Sequence, residues 1–527
     1  MSARKVGKIL LTGFAGLLSL LLLALLAAKL MLDRAPAYEG EIKQWVFAQT
    51  GYHIDFANVS PSFRWYGPEL HFEHLELRSK DDRRVLARAA GGRVAADIWQ
   101  LLRSGKLLAG RIQLDAPNLV IARLGPASFA LASEIKLGGD NSSLEALTLN
   151  DLPVGKLVIR DATITLQNWN GALPKLELRK VNLDVRRGDQ GLALWVDARL
   201  PEALGGTLNF AGNARGHGEF QMLRWSALAR ARDISFPGWR SLLPEYLSRL
   251  DAGDGAFDLA ASGVGAMLER ADLDFAATGV VTQLQEGPSA KFEQISGALS
   301  IVHSSDRWTL TGRRVRAVRQ GRRDPDSEFN VSWRGGDSGL LELRAAASYL
   351  RADALLPLAG LLPEKEIRER LQEIAPTGEW LDSFVALARN SAQDPWRLQV
   401  RARFHEVGFA PVGRAPGLRG LSGSIAGNEN GGHVKIERGA ALFTWPAQLL
   451  KPVGLDSLAA TLYWKRTPDA LLVASSDWTM ANRDAGAHGK VAWQQPADGS
   501  SPLLTLAGAV ENGHAAETRS YFPRALI

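Results

Sequence analysis

Arg397-Leu398-Gln399-Val400-Arg401-Ala402-Arg403-Phe404 alternates charged or polar residues with apolar ones at every step. Successive side chains on a β-strand point to opposite faces, so Leu398, Val400, Ala402 and Phe404 share a dry face and the arginines a wet one. The same period of two returns in Thr163-Ile164-Thr165-Leu166-Gln167, in Leu341-Glu342-Leu343-Arg344 and in Val434-Lys435-Ile436-Glu437. Gly, Asn and Asp punctuate these runs, as in Gly427-Asn428-Glu429-Asn430-Gly431-Gly432. The pattern predicts a mostly β chain. Its candidate inward-facing residues are Ile164, Leu166, Leu398, Val400, Phe404, Val434 and Ile436.

Composition agrees. The chain has 527 residues, more than one compact core usually holds, with 52 Gly and 15 Trp. Cysteine is absent, which removes disulfides, thiolate metal sites and Cys nucleophiles together. The net charge of +6 is small for this length and spread along the chain, which argues against a nucleic-acid partner.

Ile9 to Ala28 is an uncharged run, about 30 Å long as a helix, and Arg4, Lys5 and Lys8 precede it. The segment 9–32 is therefore expected to be a single transmembrane helix, with residues 1–8 cytoplasmic and the rest exported. A cleaved signal peptide is the competing reading, and the length of the run favours the anchor. Helices are otherwise expected at Ala37 to Thr50, Asp97 to Arg103, Trp239 to Leu250 and Ala354 to Arg389, the last broken near Pro376-Thr377-Gly378.

Leu242-Leu243-Pro244-Glu245 with Arg249-Leu250 recurs as Leu361-Leu362-Pro363-Glu364 with Arg370-Leu371. Tyr521-Phe522-Pro523 resembles the start of a third copy, so the chain is expected to be the N-terminal portion of a longer protein. A weaker repeat relates Phe292–Leu299 to Leu418–Ile425.

Chemistry is hard to place. His71 and His74 lie three apart on a strand, where their imidazoles face opposite sides unless a bulge intervenes, so no metal site is expected. No nucleophile elbow, phosphate loop, zinc-protease helix or dinucleotide fingerprint occurs, and no enzyme or cofactor is expected. Asp324-Pro325-Asp326 reads as a charged turn rather than a Ca²⁺ site. Arg313, Arg314, Arg316, Arg319, Arg322 and Arg323 form the densest basic run, read as a solvated strand edge in preference to a contact for anionic lipid headgroups. Trp65, Trp195, Trp308, Trp333, Trp464, Trp478 and Trp493 sit at strand positions as packing residues, with a groove lining as the alternative.

Taken in order, these segments resemble a known family. After the membrane run come Gly51–Ser60, Trp65, Pro68–Phe72, Val85–Ala89, Val94–Trp99, Gly105–Leu107 and Ile112–Ile121. That succession resembles the N-terminal region of the AsmA-like superfamily of Gram-negative envelope proteins. Pro376, Gly378, Leu455–Leu458, Trp464, Ala481–Ala485 and Tyr521–Pro523 resemble its large YhdP branch. The resemblance implies an inner-membrane anchor and a periplasmic body built as a long curled antiparallel sheet, an open trough of β-taco-like repeats with a few short helices. It implies 33–130 as an N-terminal AsmA-like β module, followed by β segments at 131–264, 265–390 and 391–527. It implies phospholipid as cargo, moved between inner and outer membranes, with the outer membrane met by a region beyond this chain. A scaffold or chaperone role in outer-membrane protein assembly is the alternative. Alternation alone does not separate a lipid groove from the core of an ordinary sandwich.

Overall fold

A computed structural model describes most of the chain between residues 39 and 513, the longest gap being 138–154. The predicted anchor at 9–32, the helix at Asp97 to Arg103 and Tyr521-Phe522-Pro523 lie outside the described residues. Among the described residues no helix is long and apolar enough to cross a membrane. The chain divides into two compact units: residues 1–242 with 256–268, and residues 243–255 with 269–527.

The first unit opens with helix α1 (Glu39–Thr50). Strands follow as β1 (His53–Asp55), β2 (Asn58–Arg64), β3 (Gly67–Arg78), β4 (Val85–Ala96), β5 (Ala109–Asp115), β6 (Asn118–Arg123), β7 (Phe129–Leu131) and β8 (Ile135–Leu137). Then come β9 (Gly155–Gln167), β10 (Leu176–Gly188), β11 (Gly191–Arg199), β12 (Thr207–Arg215), β13 (Arg224–Ser235) and a short helix, α2 (Phe236–Leu242). From β9 to β13 each strand pairs antiparallel with the next. Here the expectation of a purely antiparallel sheet needs correction: β9 runs parallel to β5 along its first half and to β6 along its second. Pro117 lacks an N–H and Ala116 takes a left-handed φ of 48°, so β5 and β6 break there while both remain against β9. The backbone bonds Ala116 N–H to Arg160 O (2.8 Å) and Thr163 N–H to Pro117 O (2.9 Å) carry the ladder across the break.

Strands β14 (Leu250–Val264) and β15 (Met267–Thr282) are shared out between the units. In the first unit, Asp258 receives both Arg230 (2.5 Å) and Arg232 (2.7 Å), and the Trp225 indole donates to Gly265 O (2.8 Å).

The second unit continues with β16 (Ala290–Ser304), β17 (Arg307–Arg319), β18 (Arg322–Arg323), β19 (Ser327–Gly336) and β20 (Gly339–Arg351). Two helices follow, α3 (Ala352–Leu355) and α4 (Lys365–Ile374). The remaining strands are β21 (Thr377–Ala388), β22 (Arg397–Phe409), β23 (Gly417–Asn428), β24 (Gly431–Thr444), β25 (Val453–Arg466), β26 (Ala470–Ala481), β27 (Gly486–Pro496) and β28 (Leu503–Glu511). Pairing is antiparallel from β15 to β28, with the two-residue β18 set beside β17. Short polar turns fix the register: Asn428 Oδ1 accepts the N–H groups of Asn430 (2.9 Å) and Gly431 (3.0 Å), and Asn482 does the same for Asp484 and Ala485.

Two predicted helices are corrected. Thr377 to Ala388 is strand β21, and Leu250 begins strand β14 rather than ending a helix. Helix α4 stops where Ala375 turns left-handed (φ 43°) ahead of Pro376. The cause of the first misreading is a bulge. Asp382 sits at φ 46°, and the pairing with β22 slips between Leu381 and Phe384. One extra residue moves the apolar positions out of period two, so Trp380, Leu381, Phe384, Val385 and Leu387 mimic helical spacing.

Such interruptions recur. Asp161, Lys180, Asp233, Arg314, Asp382 and Glu406 all hold left-handed φ within strands, and all six are exposed. A bulge kinks a strand and increases its twist, which curves the sheet it belongs to. It also preserves the inward set: Phe404 and Val407 flank the Glu406 bulge, and both are buried in one cluster.

Candidate functional site

Residues directly opposed on neighbouring strands point to the same side of a sheet. The pairing register therefore traces each face residue by residue. In the second unit one line starts Ala271, Ile301, Leu310, Val331, Ala345, Val385, Val400. It continues through Gly427, Gly432, Trp464, Val473, Trp493 and Leu504. Thirteen strands contribute, and every member is apolar or glycine. The line one step away on the opposite face runs Arg270, Val302, Thr309, Ser332, Arg344, Ala386, Gln399, Asn428. One face is dry from end to end and the other is mixed.

Burial shows how the dry face is used. From Ala271 to Trp493 every member of the line is partly buried and none fully, and Leu504 is 62% exposed. A second sheet packed on top would seal such residues as a sandwich core. Partial burial from Ala271 to Trp493 means that no second layer seals this face. At its β23–β28 end it closes into a cavity of about 980 Å³ lined by Leu418, Phe443, Leu455, Met480, Leu506 and Val510 among others. Gln448, Asn482 and Asp484 are the polar members of the lining.

A family model, YhdP protein, matches residues 1–527. The chain belongs to the YhdP protein family. It is similar to the "Intermembrane phospholipid transporter YhdP" of Escherichia coli (strain K12), 20% identical over 556 residues. That alignment covers 99% of this chain and 41% of the relative, so the chain spans about two-fifths of that protein's length. No solved structure matches.

Within this YhdP-family chain the predicted inward residues fall on the dry faces. Phe404, Val434 and Ile436 meet in one cluster around Phe404, Val407, Leu421 and Ala441. Val400 is on the thirteen-strand line, and Leu398 is on the next inward one, opposite Leu387. In the first unit Ile164 packs against the cluster of Ile159, Ala162, Val181 and Ala198. Leu166 faces Leu176 and Ile121 across its two neighbours.

Two glycines of the dry face escaped sequence reading. Gly427 and Gly432 read as turn punctuation, yet both are strand residues beneath the Trp464 indole: an added Cβ would lie 2.4 and 2.3 Å from its ring. The Trp464 N–H donates to Asn428 O (3.0 Å), which pins the ring over both glycines. His303, Trp308 and Trp333 stack along the inward face at 4.3 and 6.3 Å. Trp195 differs: it is 43% exposed, with the Arg186 guanidinium over its ring.

Three of the six arginines of the basic run are held in ion pairs. Arg316 donates two hydrogen bonds to Asp326 (both 2.6 Å), Arg319 donates to Asp324 (3.1 Å), and Arg322 pairs with Glu379. Nearby, burial and the adjacent Asp324 carboxylate push the Tyr349 hydroxyl up to about 12. These pairings fit a structural role for the arginines. His74 does take φ 51°, but the β3–β4 register is unbroken through it, and His71 instead bonds Ser62 Oγ (3.0 Å). Among the described residues no group of three or more His, Asp or Glu side chains could hold a metal ion.

Proposed function

We propose that this chain is the inner-membrane-anchored, periplasmic part of a conduit that moves phospholipid between the inner and outer membranes. Lipid tails would lie against the dry face while headgroups stay in water. The observation that carries this reading is the unbroken apolar line from Ala271 to Leu504, partly buried at every strand before the last. Strand spacing of about 4.8 Å makes it a track of roughly 58 Å.

The energetics suit a track. Each acyl CH₂ removed from hydrocarbon into water costs about 0.8 kcal/mol, so two chains of roughly 15 carbons resist leaving a bilayer by ~24 kcal/mol. A continuous dry face replaces that barrier with small steps, each trading one apolar contact for another. It needs no nucleophile, metal or cofactor. The segment 9–32 would hold the donor end at the inner membrane, and the sequence continuing in longer relatives would reach the acceptor.

The test is chemical and functional together. The full chain, extracted from membranes and freed of detergent, should carry phospholipid detectable by mass spectrometry. Val400→Asp or Ile436→Asp should abolish phospholipid transfer between vesicles while circular dichroism stays β-rich. Normal transfer by folded variants would overturn the proposal. Capture of unfolded outer-membrane proteins without bound lipid would favour the chaperone reading instead.

A further inference from the structure

We infer that phospholipid lies across the dry face of the second unit in one sense only, with headgroups over the rim that carries Trp464 and Arg466 and tails toward the cavity at the opposite rim. The inference rests on the lipid reading above. It adds the orientation of the cargo and the residue that meets its phosphate.

The strand ends make two unlike rims. On one, tight turns at residues 305–306, 429–430 and 467–469 join consecutive strands. On the other the connections are longer: α3 and α4 lie between β20 and β21, and residues 445–452 link β24 to β25. That last link folds over the dry face. The Trp445 carbonyl accepts the N–H groups of Gln448 (3.0 Å) and Leu449 (2.7 Å), Leu449 is buried, and all three residues line the cavity. No residue of the three tight turns lines it. Beside β24 and β25 one rim is thus roofed and the other is not.

The tryptophans follow the same division. Trp308, Trp333, Trp464 and Trp493 sit on the dry face within four residues of their strand ends on the tight-turn side, each partly buried. On the roofed side Trp445 lines the cavity, and Trp380 packs 5.7 Å from buried Phe404. An indole with one end apolar and the other wet is what tryptophan supplies at membrane interfaces. A row of them along the open rim marks the level at which a lipid's tail gives way to its polar end.

Charge makes the same assignment. Arg466 follows Trp464 by two residues on the same side of β25, is exposed, and makes no ion pair among the described residues. Its guanidinium matches a phosphate. The cavity suits the other end of the lipid: its lining is apolar apart from Gln448, Asn482 and Asp484, with no Lys, Arg or His among the described lining residues. A phosphate there would meet a carboxylate and no cation.

The dimensions agree. Trp464 and the cavity residue Leu458 are six residues apart on β25, about 20 Å along the strand. A bilayer's hydrocarbon core of about 30 Å holds two tails end to end, so one tail reaches about 15 Å. Tails rooted at Trp464 therefore end near the cavity wall.

The test uses two photoreactive phosphatidylcholines, one with a diazirine on the headgroup and one with it at the end of an acyl chain. Each is loaded onto the full chain from phosphatidylcholine vesicles and irradiated, and its attachment sites are mapped by mass spectrometry. The headgroup probe should label residues 464–470, and the tail probe should label Leu449, Met480 or their neighbours in the cavity. The reverse distribution, or equal labelling of both rims by each probe, would overturn the inference and leave the lipid reading standing. Labelling by neither probe would remove the lipid reading itself, and this inference with it. Arg466→Gln should weaken phosphatidylcholine binding about two- to fivefold, the worth of one exposed ion pair. It should leave binding of diacylglycerol, which lacks the phosphate, unchanged. Equal losses for both lipids, or none for either, would overturn the contact between Arg466 and phosphate.

Discussion

The two units build the same kind of face and finish it differently. In the first, Val59, Phe72, Gly92, Leu114, Ile159, Leu183, Val196, Phe210 and Ala229 form an apolar line across nine strands. Val59, Phe72, Gly92 and Ile159 are buried, whereas Leu183 to Ala229 are only partly so. Helix α1 accounts for part of the sealed end, because its Ile42 packs against Phe56, Val59 and Phe72. In the second unit the corresponding line is partly buried from Ala271 to Trp493 and exposed at Leu504. Alternating sequence thus makes a dry face, and what covers that face decides whether it becomes core or groove. Residues in the sealed part are bound to stability, and residues in the open part are free to serve a ligand.

That contrast predicts unequal costs for the same change. Phe72 is 7% exposed and meets Phe56 edge-on at 5.0 Å. Phe72→Ala should destabilise the first unit by about 3–5 kcal/mol, seen as lost amide protection in β2–β4. Leu310, on the open line, is only partly buried, so its truncation withdraws less area from water. Leu310→Ala should cost about 1 kcal/mol or less in β16–β19, yet it should slow phospholipid transfer. Equal destabilisation at both positions would mean that the second unit's face is an ordinary core.

The next effect concerns what curves the open face. Glu406 holds φ 49°, is exposed, and donates its N–H to Ser422 Oγ (3.1 Å). A β-branched residue tolerates that conformation poorly, so Glu406→Val should destabilise β22 and β23 by about 1–2 kcal/mol. Glu406→Gly should be neutral or slightly stabilising, since glycine adopts left-handed φ freely. Hydrogen exchange across both strands distinguishes them. The same sign for both variants would show that the bulge is not held by its backbone conformation.

These bulges also mark the limit of what could be read beforehand. Period two at Arg397–Phe404 foretold strand β22 and its inward residues, because alternation and burial share one physical cause. Bulged positions are Asp, Glu, Lys and Arg, and none of these residue types demands left-handed φ as glycine in a tight turn does, so the phase shift at Asp382 passed for a helix. The parallel pairing of β9 was invisible for another reason: Ile112 and Leu157, opposed in the sheet, are 45 residues apart and nothing local links them. Trp478 was legible as an aromatic at a strand position, but its orientation depends on the bulge beside it.

The smallest effect tests the cover on the first unit. Lys43 of α1 donates to Asp55 of β1 (2.6 Å), and that hydrogen bond holds the Asp55 carboxyl below its usual range, aided by the Phe56 N–H (3.0 Å). A depressed folded-state pKa stabilises above the unfolded value of about 3.9 and loses that contribution as pH falls through the folded one. Both side chains are well exposed, at 30% and 50%, so the bond is worth only a few tenths of a kcal/mol. Amide protection in α1, corrected for intrinsic exchange, should therefore fall slightly between pH 6 and pH 3, and Lys43→Met should remove that dependence. Protection in the second unit should be indifferent to Lys43→Met at any pH. If α1 loosens without exposing Val59 and Phe72 to exchange, something other than this helix seals that end, and the difference between the two faces lies in their strands rather than in their cover.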